Sequence, residues 1–310
     1  MTLAKSPKNE VPNYQPAAVV TATADTIGQK RVAEAHEEVA CSKQARGHGM
    51  NAPRIDSIEG LFQYCRGSLD AHHDIREKVI KAGRDVTNAS KKIIFALQSV
   101  RLDSQGKVLF TASINSNIDK GYTIIQEKLQ SIVGEIGVNF SHGVHPQKRS
   151  KYQHQISGGI QEFVEAVSLE CYLREGRIIT LREVQNRVSE WVKPKGDNPH
   201  PSEYKTIPIT IEDFILGLFD LTGELMRFSI SNLKPVTASK EVVDPIPSIC
   251  TNMLNVMREF KTQFDQLNLT ELGRNQDLKE FAKKRAVFEA SLQKVEFGIY
   301  GVFMRINEMT

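Results

Sequence analysis

The chain has 310 residues, of which 40 are lysine or arginine and 37 are aspartate or glutamate, so the net charge is +3 with histidine neutral. This near balance excludes a strongly basic tail as the main feature, and any nucleic-acid binding must come from a local patch. Hydrophobic residues make up 40% of the chain, with only 20 glycines and 12 prolines. The composition predicts a folded protein and excludes a low-complexity chain.

The four cysteines lie far apart and form no CxxC pair, which excludes a zinc ribbon and a disulfide framework. The first residues, MTLAKSPKNEVPNYQP, lack the apolar core of a signal peptide. No segment approaches the ~20 apolar residues that a membrane span needs. These features predict an intracellular protein in the cytoplasm or the nucleus.

Residues 1–54 are polar and show no sustained hydrophobic period. We expect this N-terminal segment to be disordered, because it offers too little apolar surface to offset the entropy of ordering. The pattern changes at residue 55, and residues 55–310 are predicted to form one helical domain.

Apolar residues at helical spacing predict seven helices in this domain. Their predicted ranges are 55–100, 107–139, 152–175, 180–193, 210–232, 248–267 and 277–307. Gly176 is a stop signal after the third, and Thr180 with Glu183 forms a capping box that starts the fourth. Thr210 and Asp213 give the fifth its start. Because strand-like alternation is rare, the fold class is all-α, a helical bundle.

The segment GGIQEFVEAVSLECYL, residues 158–173, carries two carboxylates one helical turn apart, Glu162 and Glu165. They project from the side opposite the main apolar face of the helix. Apolar residues share or border that side as well, namely Ala166, Leu169 and Tyr172. The pattern predicts that Glu162 and Glu165 lie in a contact between elements or at a cleft.

A second segment, IEDFILGLFDLTGELMRFSI, spans residues 211–230. Asp220, Glu224 and Arg227 line a narrow polar stripe on a mostly apolar helix. Gly217 and Gly223 flank the stripe, and each costs a helix roughly 1 kcal/mol relative to alanine. The two glycines predict that something approaches the backbone closely.

Four carboxylates from two helices indicate a site for a hard cation, Mg²⁺ or Mn²⁺. Such a site suits phosphodiester hydrolysis, because the cation neutralises charge on the phosphate. Solvated or salt-bridged carboxylates are the alternative. A ferritin-like di-iron site is disfavoured, since no glutamate is followed three residues later by histidine.

Basic residues cluster in two places that could hold a phosphate backbone. Arg149, Lys151 and His154 lie just before the first carboxylate pair and are candidate RNA contacts, and Tyr152 could stack a base. The second cluster lines the first helix and comprises Arg76, Lys78, Lys81, Arg84, Lys91 and Lys92. An ordinary solvated face is the alternative for both.

Four segments resemble the translin family, most closely its translin-associated branch. They are SLDAHHDIREKVIKAGRDVTNASKKIIFAL, GGIQEFVEAVSLECYL, LGLFDLTGELMRFSI and KKRAVFEASLQKVEFGIY. The resemblance covers residues 57–305, and EFVEA and DLTGELMR are its most specific parts. The N-terminal segment departs from the family, because it lacks the strongly basic import signal of animal relatives.

The resemblance implies a seven-helix bundle that is the catalytic subunit of a hetero-oligomer with translin, an octamer. It implies a Mg²⁺-dependent endoribonuclease acting on single-stranded RNA, including silencing passenger strands and tRNA processing fragments. Translin itself binds RNA and DNA and has an incomplete acidic set. The family's acidic residues map onto Glu162, Glu165, Asp220 and Glu224, which would coordinate Mg²⁺ directly or through water. One of these glutamates could instead orient the attacking water.

Two other functions remain open from the sequence. The chain could be a non-catalytic scaffold that stabilises translin and tethers RNA, or a helical adaptor with no RNA role. The last helix is apolar nearly all round, at Phe288, Val295, Phe297, Ile299, Tyr300, Val302 and Phe303. Part of this surface is predicted to lie in a subunit interface, so we expect the chain made alone to be poorly soluble.

Overall fold

The computed structural model describes residues 57–136, 152–193, 207–233, 246–267 and 275–309. These ranges contain seven helices: α1 (Ile58–Gln98), α2 (Ala112–Ile136), α3 (Gln153–Glu175), α4 (Leu181–Trp191), α5 (Ile211–Asn232), α6 (Ser248–Gln266) and α7 (Asn275–Met309). The all-α prediction is confirmed. The N-terminal segment predicted to be disordered lies outside the described residues. The candidate site lies within Tyr64–Thr310, one of two compact units of the chain.

A short hairpin between α1 and α2 corrects the predicted start of the second helix. Strand β1 (Arg101–Leu102) pairs antiparallel with β2 (Val108–Leu109), where a helix from residue 107 was predicted. The turn is closed by Asp103, whose Oδ1 accepts backbone hydrogen bonds at 2.8 Å from Gln105 and Lys107. Gly106 adopts a φ of 77°, which a residue with a Cβ rarely takes. The helix therefore begins only at Ala112.

The other described helix boundaries follow the predicted signals within a few residues. Gly176 adopts a left-handed φ of 72° and donates its N–H to the Tyr172 carbonyl, which ends α3. Thr180 and Glu183 form the predicted capping box at the start of α4. Thr210 caps α5 by accepting from the Asp213 N–H at 3.0 Å. Local capping chemistry thus sets these ends.

Helix α3 is the central element of the core. Its predicted apolar face is buried, and so are Ala166, Leu169 and Tyr172 on the other side. It packs mainly on α5, which in turn packs on α6 and α7. No helix among the described residues is long and apolar enough to cross a membrane. A helix buried on nearly all sides leaves its few carboxylates between elements, not on open surface.

Glycines let α3 approach two other helices at the level of the backbone. A Cβ on Gly217 of α5 would lie 2.8 Å from the carbonyl oxygen of Gln161 and 2.8 Å from the Cβ of Val164. A Cβ on Gly159 would lie 2.8 Å from the carbonyl oxygen of Gly83 on α1. The close approach predicted at Gly217 is confirmed. The same prediction for Gly223 is wrong within the described structure, since nothing lies within 4 Å of its added Cβ.

Helix α7 divides its apolar residues between the core and the surface. Phe288, Val295 and Val302 are buried. In contrast, Phe297 is 73% and Tyr300 60% exposed. One side of α7 is therefore buried, and its other side exposes aromatic rings.

Candidate carboxylate site

The contact between α3 and α5 brings the four predicted carboxylates together. Glu162 and Glu165 come from α3, and Asp220 and Glu224 come from α5. Burial, together with the negative charges of Asp220, Glu162 and Glu224, raises the pKa of Glu165 to about 9. A carboxyl group titrates this high only when its charge is poorly compensated. We call these four residues the carboxylate cluster.

Glu165 is the least compensated member of the carboxylate cluster. Its side chain is only 7% exposed. Within the described residues no hydrogen bond or ion pair to its carboxylate is formed, and the only cation that lowers its pKa is Lys284 on α7. At neutral pH this carboxyl group is therefore protonated in the absence of a bound cation.

Lys284 is the cation that the fold places inside the site. Its Nζ lies 2.5 Å from Oδ2 of Asp220 and donates to Oε1 of Gln161 at 3.0 Å. It also donates to the backbone carbonyl of Leu216 at 3.3 Å. One ammonium group thus joins α7 to both helices of the carboxylate cluster and fixes the orientation of Asp220.

The two remaining carboxylates are bonded to side chains at the rim. Lys91 of α1 lies 3.2 Å from Oε1 of Glu162. Gln98, also on α1, donates at 2.8 Å to Oε2 of Glu224, and Arg227 pairs with the same carboxylate at 3.0 Å. Burial raises the pKa of Glu224, while Arg227 and Gln98 act in the opposite direction. Arg227 of the polar stripe thus pairs with a carboxylate one turn away on the same helix.

A buried aspartate anchors α5 against α3. Asp213, 4% exposed, accepts a hydrogen bond from Ser157 and one from Gln153 at 3.2 Å. It also accepts from Gln161 at 3.3 Å and from its own N-cap, Thr210, at 2.9 Å. These contacts fix the register between the two helices that carry the carboxylate cluster.

The donor set fits a hard divalent cation by its chemistry. Carboxylate oxygens are the ligands that Mg²⁺ and Mn²⁺ prefer, and Glu165 remains without a cationic partner at bonding distance among the described residues. In the part of the chain that the structure describes, no three His, Cys, Asp or Glu side chains are arranged as ligands of one metal ion. Lys284, Lys91 and Arg227 are bonded to the other three carboxylates. Binding of a cation by these carboxylates would therefore compete with three basic side chains.

The predicted RNA contacts have three different outcomes. Arg149 and Lys151 lie outside the described residues. His154 is exposed on the first turn of α3. The suggestion that Tyr152 stacks a base is wrong, because its side chain is 2% exposed and its hydroxyl is hydrogen-bonded to Nδ1 of His72 at 2.7 Å.

Sequence reasoning missed the side chains that surround the carboxylate cluster. Lys284 and Gln98 lie more than 60 residues from the carboxylates they contact. Lys91 was placed in a basic face but not beside Glu162. The one available signal was that Lys91 and Gln98 are seven residues apart, which puts them on the same side of one helix.

Comparison with known proteins places most of the chain in one family. Residues 74–306 match the Translin family. Translin-associated protein X of Rattus norvegicus is 26% identical over 273 residues, covering 85% of this chain and 84% of the relative. The Translin-associated protein X homolog of Schizosaccharomyces pombe is 24% identical over 254 residues, covering 80% and 89%.

Among solved structures, the crystal structure of apo-NeC3PO is similar with a TM-score of 0.45 and 14% identity, over 81% of this chain and 100% of that one. The family match includes both helices of the carboxylate cluster and nearly all of α7, which supplies Lys284. On the extent of that match, the chain belongs to the translin family.

Proposed function

We propose that this chain is the catalytic subunit of a Mg²⁺-dependent endoribonuclease that cleaves single-stranded RNA in a complex with translin. The observation that carries the proposal is the carboxylate cluster itself. The α3–α5 contact brings four carboxylates near enough that burial of Glu165, with repulsion from the other three, raises its pKa to about 9. Perturbed carboxyl groups in such a cluster are typical of functional sites.

The residues have separable roles in this mechanism. Asp220, Glu224, Glu162 and Glu165 would hold the cation, directly or through water. When bound, Mg²⁺ supplies positive charge against the scissile phosphate and makes a water in the site more acidic. Lys284 holds Asp220 by Oδ2, and among the described residues nothing bonds its other carboxylate oxygen. A glutamate that does not contact the cation would orient the attacking water as a general base.

The proposed partner is translin. The relatives carry the name Translin-associated protein X, and the chain belongs to the same family. Helix α7 exposes Phe297, Tyr300, Phe303 and Met304, which together form an apolar face suited to another subunit. Replacement of Phe297 and Tyr300 by serine should release the partner in co-purification. Retention of the partner by that variant would place the interface elsewhere.

Cleavage of labelled single-stranded RNA by the chain co-expressed with translin tests the catalytic role. The assay is run with Mg²⁺, with EDTA, and with Asp220→Asn. The matched control is Asp265→Asn, which changes an exposed aspartate of α6 that lies outside the cluster. If this chain carries the active site, EDTA and Asp220→Asn should each abolish cleavage, and the Asp265→Asn complex should cleave like the wild type. Cleavage that survives Asp220→Asn would contradict the proposal.

A scaffold function is the second candidate, and one observation favours it. Three of the four carboxylates are bonded to basic side chains in the structure, as structural ion pairs would be. A scaffold predicts that Asp220→Asn leaves every property of the complex unchanged except for stability. Catalysis predicts instead that RNA binding is kept and cleavage is lost.

A further inference from the structure

One aromatic residue beside the carboxylate cluster has no role in the core. Phe95 on α1 is 79% exposed, while its neighbours Ile94 and Ala96 are buried. Phe95 lies one turn from Lys91, whose ammonium group contacts Glu162, and one turn from Gln98, which donates to Glu224. Residues at this spacing share one side of a helix. Phe95 therefore stands at the rim of the cluster between two of its contacts.

From Lys81 onward, the side of α1 that carries Phe95 is basic. Lys81, Arg84, Lys91 and Lys92 are exposed and lie within about 60° of Phe95 around the helix axis. From Lys81 to Phe95 the stripe extends about 21 Å, at 1.5 Å per residue. A row of positive charges beside an exposed aromatic ring is the combination that binds single-stranded nucleic acid.

We propose that Phe95 stacks on a base of a single-stranded RNA whose phosphates lie along the Lys81–Lys92 stripe, next to the carboxylate cluster. This rests on the proposed function, since it leads a strand to the carboxylates that would cleave it. Phosphate contacts set the position of a strand, and stacking on one base fixes its register. Lysine is depleted at the cores of protein interfaces, so the charges favour RNA over a subunit as the occupant.

RNA binding in EDTA tests this assignment separately from cleavage. The full chain is purified with its partner, and a short fluorescein-labelled oligoadenylate is titrated at several salt concentrations. Phe95→Ala should weaken binding about tenfold, which is within the range for one lost stacking contact. Phe95→Leu should weaken it as much, because leucine keeps the apolar surface but has no aromatic face. Phe95→Trp should bind as tightly as the wild type.

Salt dependence separates stacking from charge. Arg84→Ala should reduce the slope of log K against log salt by about 0.7, the value for one phosphate contact on a single strand, whereas Phe95→Ala should leave it unchanged. Val287→Ala, which truncates an apolar side chain 65% exposed on α7, is the control and should change nothing.

Three results would overturn the inference: full binding by Phe95→Leu, full binding by Phe95→Ala, or dissociation of the partner in Phe95→Ala, which would make Phe95 an interface residue. Failure of the wild-type complex to bind RNA at all would refute the proposed function as well. If the wild-type complex bound RNA but did not cleave it when Mg²⁺ was supplied, the proposed catalytic role of the carboxylates would be refuted. The assignment of Phe95 to RNA binding would stand.

Discussion

Replacement of Glu165 by glutamine should stabilise the protein while removing its proposed activity. Glutamine keeps the shape of the protonated carboxyl group, and it has no charge to bury. The unfolded chain titrates Glu165 near 4.5, whereas in the folded protein burial and the neighbouring carboxylates raise its pKa to about 9. At pH 7 Glu165 is therefore ionised in the unfolded chain and protonated in the folded protein, so folding takes up a proton. Over 2.5 pH units, this costs about 3 kcal/mol at 1.36 kcal/mol per unit.

The sign of the effect defines the pH window. Because the folded pKa is raised, the native state is favoured below pH 4.5 and loses stability as the pH rises toward 9. The gain from Glu165→Gln should accordingly be about 1 kcal/mol at pH 5 and about 3 kcal/mol at pH 7. For a protein of this size, the gain at pH 7 corresponds to a Tm increase of roughly 6–12 °C.

The assay is thermal unfolding of the full chain with its partner in EDTA at several pH values. Glu190→Gln, which changes an exposed glutamate of α4, serves as the matched control and should shift Tm little at any pH. If the gain from Glu165→Gln were equal at pH 5 and pH 8, or absent at both, the poor charge compensation inferred for Glu165 would be refuted.

Further substitutions test the packing at Gly217, the Lys284–Asp220 ion pair and the cap of α4. In urea unfolding, Gly217→Ala should lower the free energy of unfolding by about 2 kcal/mol, because its Cβ would lie 2.8 Å from α3. Gly223→Ala has open space around its Cβ and should raise the free energy of unfolding by up to about 1 kcal/mol. Equal effects of the two substitutions would contradict the close contact at Gly217. Lys284→Met should cost about 2 kcal/mol in EDTA by leaving Asp220 unpaired. Asp220→Asn in that variant should restore most of the loss, unless Lys284 stabilises by packing alone. Thr180→Ala should cost about 1 kcal/mol and speed hydrogen exchange at the start of α4, and unchanged exchange would contradict the capping role.

Local signals explain why most of the fold was predictable. Helix ends at Gly176, Thr180 and Thr210 follow from capping groups a few residues away, which a single sequence displays directly. The hairpin at Arg101–Leu102 and Val108–Leu109 was missed because two-residue strands are too short for alternation to show. Its turn depends on Asp103 and on the left-handed Gly106, and these resemble an ordinary loop between helices.

Helical spacing alone predicts two separate carboxylate pairs, and their union in one site was inferred from their chemistry and from the family resemblance. Spacing places Glu162 with Glu165, and Asp220 with Glu224, each on one helix. That the two pairs face each other depends on the contact at Gly217 and on the anchoring of Asp213, which are tertiary features. Lys284 gave no local signal, because its role depends on how α7 packs against α5.

The energetics of the cluster bear on the choice between catalyst and scaffold. A scaffold needs stable helix contacts, and well-packed apolar residues supply these at least as well as buried charges do. Yet Glu165 is held in a setting that costs about 3 kcal/mol at neutral pH, by the linkage argument above. A bound divalent cation would reverse the sign of the interaction at Glu165, because it favours the ionised form that burial penalises. A cation site would recover this cost when the cation binds, whereas a passive scaffold would not. The energetics of Glu165 therefore favour a cation-binding role for the carboxylate cluster over a purely structural one.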